Sequence, residues 1–139
     1  VLGADWHIDL IGLDVTATRE FPPDVFSQIA EASPRIGGFI YDICEFYIDF
    51  YEKIVGKRVC LMHDPAALLA ICDRDIFTFQ NEPLSVIVEG EEVDNSIVSE
   101  NTLRRAVSVA VGVDVDAAKK RFMAILEQAD TAFDKRVNS

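Results

Sequence analysis

His63 and Asp64 are adjacent residues whose side chains could do chemistry together. A histidine is a common general acid, and a carboxylate where a loop enters a helix can bind a hard cation such as Ca²⁺, which prefers oxygen ligands. Because neighbouring side chains point in different directions, the two could line two sides of one pocket. The alternative is structural: Asp64 caps a helix, Pro65 takes its first position, and His63 is a partly buried imidazole with satisfied hydrogen bonds.

Two tyrosines upstream could serve the same pocket. Tyr47 and Tyr51 are four residues apart, so on a helix they project from one face. Two aromatic rings with hydroxyls are suited to covering a flat polar ligand. The alternative is that both rings belong to the core and that only their hydroxyls reach the surface.

The apolar pattern predicts the elements that position these residues. Residues 8–15 form a short apolar run typical of a strand covered on both faces, ending in polar groups where open α/β sheets place ligands. A helix begins at the two prolines 22–23 and is broken by the Ser-Pro pair 33–34. A longer helix covers residues 36–54, with apolar residues at three- and four-residue steps, and Gly56 ends it.

The second half of the chain changes to an extended periodicity after a small helix over residues 66–72. The predicted strands cover residues 76–79, 84–88, 93–98 and 103–113. Turns are predicted at residues 81–83 and 90–91, and the close spacing favours antiparallel pairs at a sheet edge. Asp116 caps a final helix. We expect one α/β unit over residues 1–139.

Composition excludes several classes of function. The 139 residues contain 13 Lys and Arg against 24 Asp and Glu, a net charge of −11. Such a chain repels phosphate backbones and anionic lipid, so we expect neither a nucleic-acid partner nor a membrane-surface role. No run approaches the roughly 18 apolar residues that a membrane span needs.

The cysteines and the N-terminus indicate a cytoplasmic protein. Cys44, Cys60 and Cys72 leave one thiol unpaired and form no Cys-x-x-Cys motif, which predicts reduced core thiols. A zinc site or a thiol nucleophile is the alternative. No secretory signal is visible, and Val1 in place of Met suggests that a preceding stretch has been removed.

Three motifs follow one another along the chain: Ile-Gly-Leu-Asp-Val-Thr at 11–16, Phe-Tyr-x-x-x-Tyr at 46–51 and His-Asp-Pro-Ala-Ala at 63–67. Together with residues 86–89 and 107–110, this ordered set resembles the C-terminal part of a nucleoside hydrolase of the inosine-uridine-preferring family. The resemblance implies an α/β fold with an open, mostly parallel sheet and helices, a β-rich antiparallel edge in the C-terminal half, and a final helix.

The resemblance also implies an activity and residue roles. Such enzymes hydrolyse the N-glycosidic bond of ribonucleosides to free base and ribose, through an oxocarbenium-like transition state. A calcium ion holds the ribose hydroxyls and the attacking water. By position, Asp64 would be a calcium ligand and His63 the acid that protonates the departing base. Tyr47 and Tyr51 would close over the base or the ribose.

The sequence also departs from the family pattern. The Asp-rich N-terminal cluster that supplies the other calcium ligands and the general base has no match. Residues 94–99 replace a glycine-containing element, and Ala17 stands where many members have histidine. We therefore expect part of a site, completed by the missing N-terminal half of the same domain. The isolated chain should be inactive and should bind calcium weakly.

Two further expectations follow from a half-domain. Uncovered sheet edges and apolar helix faces predict a homo-oligomer. The missing aspartate cluster also leaves open a second hypothesis, a non-catalytic α/β module for binding or assembly, in which Asp64 is only a helix cap.

Overall fold

Helices and strands alternate along the first half of the chain in the computed structural model, which describes residues 1–17, 20–93, 95–101 and 103–137. The helices are α1 (Leu13–Thr16), α2 (Pro23–Ala32), α3 (Ile36–Val55), α4 (His63–Cys72) and α5 (Val115–Val137). The strands are β1 (Asp9–Leu10), β2 (Glu20–Phe21), β3 (Cys60–Leu61), β4 (Phe77–Val86), β5 (Ser96–Val98) and β6 (Ala106–Val113). Within these described ranges, no helix is both long and apolar enough to span a bilayer.

The main sheet is mixed, with the strand order β1-β6-β4-β5. β1 runs parallel to β6, whereas β4 is antiparallel to both β6 and β5. β2 and β3 form a separate antiparallel pair beside it. The α/β class, the antiparallel edge and the final helix predicted from the sequence are confirmed, and the parallel part of the main sheet in the described residues is the β1–β6 pair.

The apolar run at residues 8–15 is not one strand. β1 ends at Leu10, and Leu13–Thr16 folds into a helical turn closed by amide hydrogen bonds to the carbonyls of residues 12 and 13. A short apolar run fits a strand and a buried helical turn equally well, so periodicity could not separate them. The strand prediction was right only for Asp9 and Leu10 and wrong from residue 11 onward, and Thr16 is buried in a helix.

One continuous strand, β4, replaces two predicted strands and the turn between them. The predicted turn at residues 81–83 lies inside β4. Proline cannot donate to a ladder, but Pro83 pairs with Ala106 at the last position shared with β6, and its carbonyl accepts a hydrogen bond from the amide of Ser99. The later glycine turn is confirmed, since Gly90 has a φ of 97° between β4 and β5.

The remaining predicted strands begin later than expected. The strand predicted at residues 93–98 is formed by Ser96–Val98, and Asp94 lies outside the described residues. The strand predicted from residue 103 begins at Ala106. Both strands begin later than predicted because a strand begins where its backbone first pairs with a neighbouring strand, which the sequence pattern does not show.

Helix α3 has the predicted bounds but turns an unexpected face to the core. It ends at Gly56, whose φ of 71° lies in the left-handed region that glycine adopts without strain. Its buried residues are Gly37, Cys44 and Ile48. Much of the predicted apolar stripe is instead exposed, namely Phe39, Ile43, Tyr47, Phe50 and Ile54. Helix α3 therefore has two apolar faces, and one of them is uncovered in the described structure.

Helix α5 begins with a different aspartate from the one predicted. Oδ1 of Asp114 accepts a hydrogen bond of 3.0 Å from the amide of Ala117, the geometry of an N-cap. Asp116 lies inside the first turn of the helix. The prediction was wrong by two residues because both positions carry the residue type that caps helices.

A polar junction ties α5 to the start of α3. The buried carboxylate of Asp130 accepts hydrogen bonds from the amides of Arg35 (3.1 Å) and Ile36 (2.8 Å). Burial acts to raise the pKa of Asp130, but these amides, together with the Ser33 hydroxyl and the Arg35 charge, lower it below its ordinary value. The junction satisfies amides that the helix itself leaves open.

Two apolar clusters form the core. The first consists of Phe21, Val25, Phe26, Ile29, Cys44, Ile48, Cys60 and Leu126. The second consists of Val15, Leu69, Ala70, Ile76, Phe77, Ala110 and Ala118. Helix α5 supplies residues to both clusters and joins them. Cys44 and Cys60 are core thiols as predicted, whereas Cys72 is exposed at the end of α4, so that part of the prediction was wrong.

Candidate functional site

Thr16 and His63 approach each other from two helices. Thr16 is the last residue of α1, and His63 is the first residue of α4, two residues after the end of β3. The Oγ1 atom of Thr16 and the Nδ1 atom of His63 are 2.6 Å apart, a hydrogen bond across 47 positions of sequence. Because Thr16 is buried and His63 half-buried, this bond holds the imidazole ring in one orientation.

The Thr16 hydroxyl lies between two hydrogen-bond partners, the carbonyl of Gly12 at 3.3 Å and Nδ1 of His63 at 2.6 Å. A hydroxyl has one hydrogen. When that hydrogen is directed to Gly12, the oxygen accepts from Nδ1–H of His63; when it is directed to Nδ1, the neutral ring carries its proton on Nε2. In either arrangement Thr16 occupies Nδ1 of the imidazole.

Asp64 lies in the first turn of α4, and its side chain is exposed. Met62 occupies the N-cap position and makes no side-chain cap bond, so the prediction that Asp64 caps the helix was wrong. Pro65 is accordingly the third helical residue and not the first. A carboxylate at this end of a helix interacts favourably with the helix dipole, and the Asp64 carboxylate remains available to a ligand.

The two tyrosines lie on α3, away from the contact between α1 and α4. Tyr47 is exposed and packs edge-on against Phe46, while Tyr51 is half-buried and packs edge-on against Phe50. In the part of the chain that the structure describes, no hydrogen bond joins either tyrosine to the residues at the start of α4. The prediction that both close over a substrate stays a prediction.

An apolar cavity of about 40 Å³ lies beside this contact. It is lined by Thr16, Phe21, Met62, Pro65, Ala66, Leu69, Phe77, Val113, Val115, Ala118 and Phe122. These residues come from both core clusters, and Thr16 is the one polar residue among them. Because the rest of the lining is apolar, the cavity offers a ligand no polar side chain besides Thr16.

The described residues do not form a calcium site by themselves. No group of three or more His, Cys, Asp or Glu side chains within residues 1–17, 20–93, 95–101 and 103–137 is arranged to hold a metal ion. Calcium takes six to eight oxygen ligands, and Asp64 offers one carboxylate. Any metal bound by Asp64 needs ligands from elsewhere.

A second polar cluster lies across the main sheet. Nε and Nη2 of Arg74 donate to the two oxygens of Asp9 at 3.1 and 3.0 Å, and Nη2 also donates to Oγ of Ser108 at 2.7 Å. The guanidinium lies 3.9 Å from the ring centre of Phe79. The hydrogen bond from Arg74 lowers the pKa of Asp9 to about 2, against an opposing effect of burial. These groups satisfy one another, so the cluster holds β1 on β6.

The other histidine belongs to the edge of this cluster. Nε2 of His7 lies 2.9 Å from Oδ1 of Asp9, and the His7 side chain is exposed. Its hydrogen-bond partner is Asp9 and not Thr16, so His7 can serve as a control for substitutions of His63.

Thr16 was not among the site residues predicted from the sequence, although it ends the first motif. The available signal was the polar end of the apolar run. Interpreted as the ligand-binding end of a strand, that signal gave Thr16 no partner, whereas the helical turn places it against His63.

Comparison with known proteins agrees with this arrangement of motifs. The family model described as inosine-uridine preferring nucleoside hydrolase matches residues 1–120. The chain belongs to the nucleoside hydrolase family. The match includes all three motifs and the strands β4 to β6.

Individual nucleoside hydrolases are similar at moderate identity. Uridine nucleosidase 1 of Arabidopsis thaliana is 26% identical over 124 residues, which is 82% of this chain and 36% of that protein. The inosine-uridine preferring nucleoside hydrolase of Leishmania major is 28% identical over 93 residues, 65% of this chain and 28% of that protein.

A solved nucleoside hydrolase shares the fold. The purine-preferring ribonucleoside hydrolase from Gardnerella vaginalis superimposes with a TM-score of 0.77 and 29% identity, covering 89% of this chain and 40% of that structure. The chain therefore spans well under half the length of the nucleoside hydrolases it matches.

Proposed function

We propose that this chain carries the acid-donating part of a ribonucleoside hydrolase site, which cleaves the N-glycosidic bond of a ribonucleoside to free base and ribose. The observation that carries the proposal is the 2.6 Å hydrogen bond between Thr16 and His63. It joins the first and third family motifs and holds the imidazole through Nδ1. Family membership supplies the reaction class.

His63 is proposed to protonate the departing base. In the imidazolium form, Nδ1–H donates to Oγ1 of Thr16, whose hydroxyl donates to the carbonyl of Gly12. The proton on Nε2 is then free to move to a ring nitrogen of the base as the glycosidic bond breaks. A purine or pyrimidine anion leaves poorly, so this transfer lowers the barrier.

Asp64 is proposed to contribute one oxygen ligand to a calcium ion. When bound in a nucleoside hydrolase, calcium would orient the ribose hydroxyls and the attacking water. The described residues do not complete such a site, so we assign no step to the metal. We propose that the N-terminal half of the domain supplies the other ligands, and that the chain alone is inactive.

Tyr47 and Tyr51 are proposed to form the second wall of the substrate pocket. Their exposed edges on α3 offer rings and hydroxyls to a flat nucleobase. Because α3 and α4 are joined through the short strand β3, a bound nucleoside could contact both helices.

The test uses the longest open reading frame that encodes this chain. Inosine and uridine hydrolysis is measured with calcium for the parent protein and for His63→Ala and Asp64→Ala. Loss of the general acid should reduce turnover by about 100-fold or more. His7→Ala and Asp116→Ala are matched controls, since each removes the same side-chain type away from the site, and both should keep parental turnover. Unchanged turnover in His63→Ala and Asp64→Ala would remove the assigned roles.

A non-catalytic module is the second candidate, because the described residues contain no metal-binding cluster. In that case Asp64→Asn should leave stability and function unchanged, and calcium with ribose should not raise the Tm of the parent protein. A calcium-dependent rise in Tm that Asp64→Asn abolishes would support the hydrolase proposal instead.

A further inference from the structure

Two cysteines from different elements meet in the core. Cys44 lies on α3, and Cys60 is the first residue of β3, which packs on α3. Both belong to the first apolar cluster, with exposed fractions of 7% and 4%. Their thiols hydrogen-bond to each other. A buried free cysteine behaves as a small apolar residue, so apolar packing alone does not require this contact between two thiols.

We propose that Cys44 and Cys60 form a redox modification site, at which a peroxide converts the two thiols into a reversible disulfide. A disulfide forms only between cysteines whose side chains point at each other, and the hydrogen bond shows that these two do. The third cysteine, Cys72, is exposed at the end of α4 and does not belong to the pair.

The hydrogen bond makes the two thiols unequal. It lowers the pKa of Cys44, against the opposing effect of burial. The same bond and burial both raise the pKa of Cys60. These directions correspond to a Cys60 thiol that donates to the sulfur of Cys44. Because the thiolate and not the thiol is the nucleophile, Cys44 is the residue that reacts first with the oxidant.

The proposed oxidation has two steps. In the first, the Cys44 thiolate attacks one oxygen of hydrogen peroxide, so that an S–O bond forms and the O–O bond breaks. The hydroxide that leaves takes up the proton lost by Cys44 and becomes water. In the second, the sulfur of Cys60 attacks the sulfur of the Cys44 sulfenic acid, an S–S bond forms, and the sulfenic oxygen leaves with the Cys60 proton as water. Two thiols are oxidised to one disulfide, and the peroxide is reduced to two waters.

The disulfide would connect α3 to the start of α4. Sγ of Cys60 lies 4.0 Å from Sδ of Met62, which occupies the N-cap position of α4. Fixing Cys60 on α3 should therefore slow amide hydrogen exchange over residues 60–65, because local opening of this segment would be restricted. The bridge also closes the loop between Cys44 and Cys60 in the unfolded chain, so the Tm should rise by several degrees.

The first experiment maps the disulfide in the protein that the longest open reading frame containing this chain encodes. The protein carries Cys72→Ser, which removes the exposed thiol and leaves the core unchanged. It is treated with hydrogen peroxide under native conditions, alkylated and digested without reduction. Mass spectrometry should find the Cys44 and Cys60 peptides joined, and dithiothreitol should separate them. Recovery of both as alkylated thiols, or of either joined to another cysteine, would overturn the proposal.

The second experiment tests the order of the two steps. Cys60→Ser and Cys44→Ser proteins are treated with peroxide in the presence of dimedone, which traps sulfenic acid, and their folding is checked by circular dichroism. Cys60→Ser should accumulate the adduct on Cys44, since the thiol that completes the disulfide is missing. Cys44→Ser should give little adduct on Cys60. The opposite pattern would contradict the assignment of Cys44 as the attacking thiol.

The third experiment measures the Tm of the Cys72→Ser protein before oxidation, after oxidation and after dithiothreitol. The Tm should rise on oxidation and return to its starting value on reduction. Peroxide also converts methionine to its sulfoxide, whose repair needs dedicated reductases, so the return assigns the change to the disulfide. A Tm that does not change when mapping finds the disulfide would contradict the proposed restraint on α3 and α4.

Discussion

The Thr16 hydroxyl and the His63 imidazole meet at 2.6 Å, and the same hydroxyl lies 3.3 Å from the carbonyl of Gly12. This short chain of hydrogen bonds connects a helix end near the N-terminus to the start of α4. It occupies Nδ1 of the imidazole and so fixes the orientation of the ring.

Replacing Thr16 by valine should therefore disturb His63 without removing it. We expect Thr16→Val to change the ratio of the two neutral imidazole tautomers, measured by ¹⁵N NMR of the chain, and Thr16→Ser to restore it. In the hydrolase assay kcat should fall about tenfold, as expected when a general acid is misaligned, with little change in KM. Thr131→Val is the control, because the Thr131 hydroxyl bonds only within α5. Identical NMR spectra for the His63 ring in all variants would show that Thr16 does not position it.

Helix α3 lies close to the backbone of α2 at Gly37. A Cβ added there would lie 2.4 Å from the carbonyl oxygen of Ile29, a backbone atom that cannot move aside. We expect Gly37→Ala to lower the Tm by several degrees. Gly38 is in the same helix with open space around it, so Gly38→Ala should raise the free energy of unfolding by about 0.5–1 kcal/mol through helix propensity. Equal effects of the two substitutions in thermal or urea unfolding would contradict this packing.

The Asp9–Arg74 pair should make stability depend on acid pH. The pKa of Asp9 is about 2 in the folded protein and about 4 in an unfolded chain. Because the folded value is the lower one, the ionised carboxylate stabilises the fold above about pH 4, and this contribution is lost as the pH falls toward about 2. The Tm difference between the parent and Asp9→Asn should be constant near neutrality and should shrink across that interval. A Tm difference between parent and Asp9→Asn that does not change with pH would show that the Asp9–Arg74 pair does not cause the acid sensitivity.

The start of α5 distinguishes two aspartates that look alike in the sequence. Asp114→Ala removes the hydrogen bond to the amide of Ala117 and should cost about 1 kcal/mol of stability. Asp116→Ala removes only an interaction with the helix dipole, so its effect should be less than half as large. Chemical unfolding of both variants measures the difference. If Asp116→Ala lowers the free energy of unfolding more than Asp114→Ala does, the N-cap is Asp116, as the sequence predicted.

Local chemistry explains what could be predicted without a structure. Helix α2 begins beside two prolines, α3 ends at a glycine, and α5 follows aspartates; each of these signals acts within a few residues. The three ordered motifs likewise indicated the nucleoside hydrolase family, because they are read from residue types and order alone.

Features that depend on distant partners could not be predicted in this way. Pro83 looks like a turn residue, but it lies in β4 because β6 and Ser99 supply its partners. Asp64 looks like an N-cap, but Met62 occupies that position and α4 begins at His63, two residues earlier than predicted.

The amino-acid sequence by itself determined the family, the order of most elements and the His63-Asp64 pair, since these follow from residue identity and short-range periodicity. Only the tertiary structure decided that Thr16 holds His63. It also decided that α3 buries Cys44 and Ile48 while Phe39, Phe46 and Phe50 stay exposed. Both depend on contacts between segments far apart in the chain. An apolar stripe indicates that a helix packs, but the shape of its neighbours selects the face.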